Sequence, residues 1–304
     1  MIIRPRPTSS DLLFALHGSI LPRIALRVGA LTLLATLLAW LDRVIERFPE
    51  ITAAPFSVLG LTLSIFFGFR ASTCYARWWE ARTLWGRLIV EARGFGRDAA
   101  ELLPATEAAL RGRLVRRVVG FVHWLEVRLR HGDGPVAAAP WLPPAEAAAL
   151  GGKRNPGNAI LQAQTAELVA CLRRGQLSDI LYASLAKRLD GMAAVQSGAE
   201  RILTTPMPFA YSLLLHRSAW LFCLLLPFGF VGTLGFFTPL VTAILAYTLF
   251  GLEALSDELE EPFGLAQNDL PLSAMTRMVE IDLLECLGEA ELPAALHPEN
   301  GVLR

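Results

Sequence analysis

The sequence is poor in charge and has no clustered cysteines. Charged residues make up 18% of its 304 positions, whereas about a quarter is usual for a soluble domain, so a wholly solvated globule is a poor fit. Cys74, Cys171, Cys223 and Cys286 are scattered, without a C-x-x-C or a zinc spacing. That leaves no redox pair or structural zinc site by motif, and four free thiols in a reducing compartment are expected. No segment alternates apolar and polar residues over a useful strand length, which points to an all-α chain. The phosphate-binding Gly-Lys-Ser/Thr loop, G-x-S-x-G, H-E-x-x-H and the dinucleotide fingerprint are all absent. His17, His123, His131, His216 and His297 stand apart from one another. An enzyme, a metal site and a cofactor are therefore not expected. No internal repeat supports an inverted-repeat transporter.

Apolar residues, by contrast, reach 53%, with a mean hydropathy of +0.43, and they fall in blocks. A bilayer core about 30 Å thick takes roughly 20 mostly apolar residues in helix. Ile24 to Leu41 carries only Arg27, and Ile51 to Phe69 carries no charge. Ser218 to Leu252 is uncharged and too long for one crossing. Pro227, the Gly232-Thr233-Leu234-Gly235 turn and Pro239 divide it into a hairpin of two helices. Four transmembrane helices are predicted. The first is expected to stay as an anchor, because no cleavage site follows it.

Net charge is zero, but it is unevenly distributed. Residues 70 to 217 hold 20 Lys and Arg against 12 acids, and residues 253 to 304 hold 2 against 12. Arg4, Arg6, Arg23 and Arg27 mark the N-terminal side, while Asp42 to Ala54 has two Arg against three acids. The positive-inside rule puts both termini and the middle segment in the cytosol. The expected layout is a cytosolic segment over 1–23, helices 1 and 2 within 24–69, a cytosolic helical region over 70–217, helices 3 and 4 within 218–252, and a cytosolic segment over 253–304. The acidic C-terminal part can then meet the basic middle.

That middle is predicted to be helical over Arg70 to Ala100, continuing the second membrane helix, and over Arg111 to Arg130. Two further helices follow, at about Ala159 to Arg174, capped by Asn158, and Ser178 to Thr204. Gly132 to Gly157 reads as a loop with at most one short helix. Basic residues interleaved with apolar ones at helical spacing predict a solvated face with salt-bridge partners, not a nucleic-acid surface.

The second membrane helix has internal order. Gly60, Ser64 and Gly68 at i, i+4 and i+8 form a small-residue ridge that lets a helix approach closely. Two stripes flank it: Leu59, Leu63 and Phe67 on one side, and Leu61, Ile65 and Phe69 on the other. Each spans about 12 Å. Repeated around a ring, such a stripe would form a constriction that gates by dewetting, and periodicity alone does not choose between them. Just beyond, Trp78 and Trp79 in Arg77-Trp78-Trp79-Glu80 suit headgroup level, with Arg77 and Glu80 expected to pair locally.

Several words in the sequence carry a family resemblance. They are Ile3-Arg4-Pro5, Phe56-Ser57-Val58-Leu59-Gly60 with Gly68-Phe69-Arg70, Tyr75-Ala76-Arg77-Trp78-Trp79-Glu80-Ala81-Arg82 and Leu84-Trp85-Gly86. Further on come Glu200-Arg201-Ile202, Thr205-Pro206-Met207-Pro208-Phe209-Ala210-Tyr211 and Glu261-Pro262-Phe263-Gly264. In these the chain resembles the bestrophins, most closely their bacterial branch. The resemblance implies a homopentameric ion channel in the lipid bilayer, each subunit having four membrane helices and a large helical cytosolic part. It implies a hydrophobic neck from the second helix, matched here to Leu61, Ile65 and Phe69. It also implies a second, cytosolic aperture at Ile180 or Leu181, of which Ile180 is preferred.

Where animal members follow the Pro-Phe-Gly turn with a run of acids that helps clasp calcium, this chain has Leu265-Ala266-Gln267-Asn268-Asp269. A hard cation needs six or more oxygens, so calcium gating is not expected. The expected function is passive flow of small monovalent ions, with cations favoured over chloride by analogy with bacterial relatives. A scaffold or regulatory subunit without conduction is the alternative, and an organic-anion carrier is a third reading.

Overall fold

In a computed structural model of the chain, residues 1–3, 8, 11, 15, 18–45 and 54–304 are described. Arg4, Pro5 and Arg6, and residues 46–53 of the first expected outer connection, lie outside them. Among the described residues every regular element is a helix, apart from isolated β-bridges that pair Ile2 and Glu299 with Val302. The helices are α1 (Leu21–Ile45), α2 (Ala54–Leu102), α3 (Ala108–Leu129), α4 (Gly134–Ala138), α5 (Pro144–Leu150), α6 (Pro156–Arg173), α7 (Asp179–Thr204), α8 (Phe209–Leu234), α9 (Thr238–Glu260) and α10 (Leu272–Cys286).

The chain divides into two compact units. One comprises Arg4–Trp78 and Pro206–Pro262, and so contains α1, the first half of α2, α8 and α9. Leu21–Val44, Ala54–Leu102 and Phe209–Glu260 are long and apolar enough to cross a membrane. The third of these is divided at Gly235, whose φ of +51° is a left-handed conformation costly for residues with a Cβ. The turn falls at Gly235–Phe237, while Pro227 lies inside α8 without ending it. Thr238, fully buried at the start of α9, donates its hydroxyl to the Phe230 carbonyl at 3.4 Å and ties the hairpin together. The core of this unit joins Ile24 and Leu31 of α1, Leu63 and Phe67 of α2, Phe222 and Leu226 of α8, and Leu249 and Phe250 of α9. Phe56 of α2 lies against Gly229 of α8, where a Cβ would come within 2.4 Å of the ring.

Helix α8 begins at Phe209 and α9 ends at Glu260, so both run beyond the uncharged stretch. The extra turns carry charges that pair within the unit. Glu253, buried in α9, accepts from His216 at 2.6 Å and from Arg27 at 3.3 Å. Arg27 is the one charge in an otherwise apolar stretch, and it meets its acid across the bundle.

The other unit comprises Met1–Ile3, Trp79–Thr205 and Phe263–Arg304. Its central helix is α3, whose Leu114, Val118, Phe121, Leu125 and Leu129 are all buried as the spacing predicted. The basic middle and the acidic C-terminal part do meet here: Arg93 pairs with Asp282 at 2.6 Å, and Arg116 pairs with Glu289. His123 contacts Glu280 at 3.0 Å.

Two expectations need correction. Helix α6 starts at Pro156 with Asn155 as its cap, not at Ala159 after Asn158; the Asn155 side chain accepts from the Asn158 amide. Proline is preorganised for the first helical position, so the Asn-Pro pair that reads as a loop opens a helix. The stretch from Gly132 to Gly157 holds two short helices, α4 and α5, each with proline in its first turn. All four cysteines are free thiols, and only Cys286 is exposed.

Candidate pore helix

Helix α2 is uninterrupted from Ala54 to Leu102, so the apolar stretch and the charged words after it are one element. Pro55 suits its first turn. Pro104 removes a donor and disfavours helix for the residue before it, which ends the helix at Leu102.

Within the first unit this helix has one buried stripe: Leu63, Phe67, Arg70 and Cys74, spaced by four, three and four residues. Leu63 and Phe67 are 3% and 0% exposed, whereas Leu61, Ile65 and Phe69 are 65%, 51% and 63% exposed. Of the two flanking stripes, the chain consumes one in its own core from Leu63 onward and leaves the other open. The small-residue ridge is only partly used. Gly60 lies against the Phe222 ring, while a Cβ at Gly68 would meet nothing within 4 Å. Ser64 is exposed and returns its hydroxyl to the Gly60 carbonyl at 2.8 Å.

One residue past the open stripe, Arg70 turns inward and is 3% exposed. Its Nη2 donates to Asp257 at 2.7 Å and to Glu260 at 3.3 Å. The other Glu260 carboxylate oxygen accepts from the Met207 amide at 3.0 Å. The Glu260 carbonyl accepts from Arg77 Nε at 2.7 Å. One residue at the end of α9 thus holds two arginines of α2 and the segment leading into α8. Tyr211 adds a further tie, donating its hydroxyl to the Phe66 carbonyl at 3.0 Å.

Arg77 reaches the Glu260 carbonyl within the first unit, and Glu80 pairs with Arg201 within the second. Trp78 stacks on Tyr75 at 6.4 Å, and Trp79 is exposed. Arg70 itself was missed as an anchor. The available signal was a charge one residue after a long apolar stretch, where a buried cation requires an acid.

In the second unit, Ile180 sits in the first turn of α7, which Ser178 caps by accepting from the Leu181 amide. Ile180 is 82% exposed, and Leu181 is half-buried. Asp179, the first residue of the helix, is exposed beside it. In the Pro262-Phe263-Gly264 word, Pro262 and Phe263 are buried and Gly264 is half-buried. The loop that follows Gly264 is closed by Asp269, whose carboxylate accepts from the Ala266 amide at 2.7 Å.

A family model described as bacterial/fungal bestrophin protein matches residues 1–285. The chain belongs to the bestrophin family. Among curated bestrophin relatives, a voltage-dependent anion channel-forming protein of Mesorhizobium japonicum is 41% identical over 291 residues, covering 95% of this chain and 93% of that one. The voltage-dependent anion channel-forming protein YneE of Escherichia coli is 40% identical over 304 residues, covering 99% and 98%. A solved bacterial bestrophin homologue from Klebsiella pneumoniae superposes with a TM-score of 0.82 at 38% identity, covering 90% of this chain and 100% of that one. The helical fold is therefore that of a bestrophin.

Proposed function

We propose that the protein is a passive ion channel of a bacterial inner membrane, formed by five copies around one axis. Each copy crosses the membrane four times and keeps both termini in the cytosol. The observation that carries this reading is the open stripe of Leu61, Ile65 and Phe69. It lies on a helix whose neighbouring stripe is locked into the same chain by Leu63 and Phe67. Three uncharged side chains repeated around an axis make a dewetting neck. Ile180 forms the second aperture, on the cytosolic side. The family and the channel names of its relatives point to a channel rather than an enzyme.

A neck without charge does not select the sign of the ion. The first reading is that cations are preferred, because Asp179 lies exposed next to Ile180 and five copies would set a ring of carboxylates at the aperture. The second reading, favoured by the names of the relatives, is an anion channel. Calcium is not the gating stimulus in either reading. Glu258 is paired with Arg23 at 2.9 Å, Glu260 with Arg70, and Asp269 with its own turn.

The deciding experiment is the reversal potential of the purified protein in a planar bilayer under a NaCl gradient, for wild type and Asp179→Asn. Cation flow gives a reversal potential near the sodium equilibrium value, displaced towards zero in the variant. A value near the chloride equilibrium establishes the second reading. No current from the wild type or from the widened neck variant described below would make the protein a non-conducting scaffold.

A further inference from the structure

The unit containing Trp79–Thr205 holds a cleft of about 610 Å³ that ion flow through a neck does not use. Three arginines line it from three places: Arg128 in the last turn of α3, Arg154 just ahead of α6, and Arg201 in the last turn of α7. Glu200 is the single acid in the lining, and its carboxylate accepts from Gln196 at 3.0 Å. Arg201 is paired with Glu80. Neither Arg128 nor Arg154 has an ion-pair partner among the described residues. With Arg201 paired and Glu200 set against Arg128 and Arg154, the lining keeps one positive charge that no described residue pairs.

Its other features suit a compact anion. Ser197, Thr204 and Thr205 also line it, the Thr204 hydroxyl donating to the Glu200 carbonyl at 2.8 Å, and the 18-residue helix α6 opens there, with Asn155 as cap, so its positive dipole end faces the same cleft. The one aromatic, Trp124, is 1% exposed and provides a floor without a free ring face. A ligand held by base stacking is thereby disfavoured, and one held by charge and hydrogen bonds is favoured. Arginine forks match phosphate oxygens two at a time, and the volume is that of a small-molecule site.

We infer that this cleft binds a small phosphate-bearing anion, supplied either free in solution or as a lipid headgroup. The test uses the full-length protein in phosphatidylcholine nanodiscs at low salt, titrated calorimetrically with pyrophosphate. Wild type is expected to bind saturably, and Arg128→Gln/Arg154→Gln to bind at least tenfold more weakly. Both arginines are exposed and unpaired, so the variant should keep the wild-type melting temperature. If it does not, Arg154→Gln alone, in a loop, serves the same purpose. A second arm measures phosphatidylglycerol retained after extraction from mixed bilayers. Retention that is lost in the variant, without pyrophosphate binding, assigns the lipid source. No variant-sensitive binding in either arm overturns the inference.

Discussion

Glu167 of α6 holds two arginines of α3 at once. Its Oε1 accepts from Arg113 at 2.8 and 3.1 Å, and its Oε2 from Arg117 at 2.8 Å. Arg117 is itself buried and also forks onto Glu146 at 2.9 and 2.8 Å, with Gln164 at 2.9 Å. Burial pushes the Glu167 carboxyl up, but hydrogen bonds and charge from Arg113 and Arg117 outweigh it and hold the group below its ordinary value of 4.5. A carboxyl depressed in the folded state adds stability that is fully present above its unfolded pKa and is lost as pH falls through its folded one. Thermal melts of detergent-solubilised protein, run from about pH 7 to about pH 3, should therefore show stability falling below pH 4.5. Glu167→Gln should melt lower at neutral pH and change less on acidification. Parallel curves for the two proteins would show that Glu167 contributes nothing to the acid limb. The sequence marks these arginines as a solvated face, and for Arg113, which stays exposed, that holds. Arg117 is buried because its partners come from two later helices, separated from it by 29 and 50 residues, and spacing along one helix cannot show that.

At the scale of elements, α2 shows what pattern alone can and cannot decide. Its length, its continuation past the membrane and the ridge of Gly60, Ser64 and Gly68 are all legible, because apolar run length and small-residue spacing are local properties. Which flanking stripe is buried is not legible, since Leu59, Leu63 and Phe67 are as apolar as Leu61, Ile65 and Phe69. The choice is made by Phe222 and the rest of the core facing Leu63 and Phe67. The two stripes should respond differently to truncation. Leu63→Ala or Phe67→Ala removes a core side chain and should cost about 2–5 kcal/mol, seen as a lower melting temperature. Leu61→Ala/Ile65→Ala/Phe69→Ala removes side chains that the single chain leaves exposed. It should leave the fold of each chain intact while raising single-channel conductance severalfold. A triple variant that unfolds, or conducts as wild type does, would remove this stripe from the neck.

At the scale of the whole molecule, the proposed path needs more than one chain. The chain's open stripe faces away from its own core, and Ser64 and Gly68 lie exposed with open space beside Gly68. An apolar face next to a small-residue ridge is suited to close approach by an identical helix from another copy. In the proposed ring that contact is repeated by one closing rotation, so that the open stripes converge on the axis and every interface is the same. No feature of composition counts the copies, and five is the number implied by the family resemblance. Multi-angle light scattering of the detergent complex should therefore give a protein mass of five chains of 33.2 kDa each. Gly68→Leu fills the open space beside the axis helix without touching the chain's own core. It should shift the distribution towards smaller species while the melting of the isolated chain is unchanged. A monomeric wild type would remove the axis, and with it both proposed constrictions. A ring of another number would keep the neck of Leu61, Ile65 and Phe69 but change its diameter, and therefore the size of ion that passes.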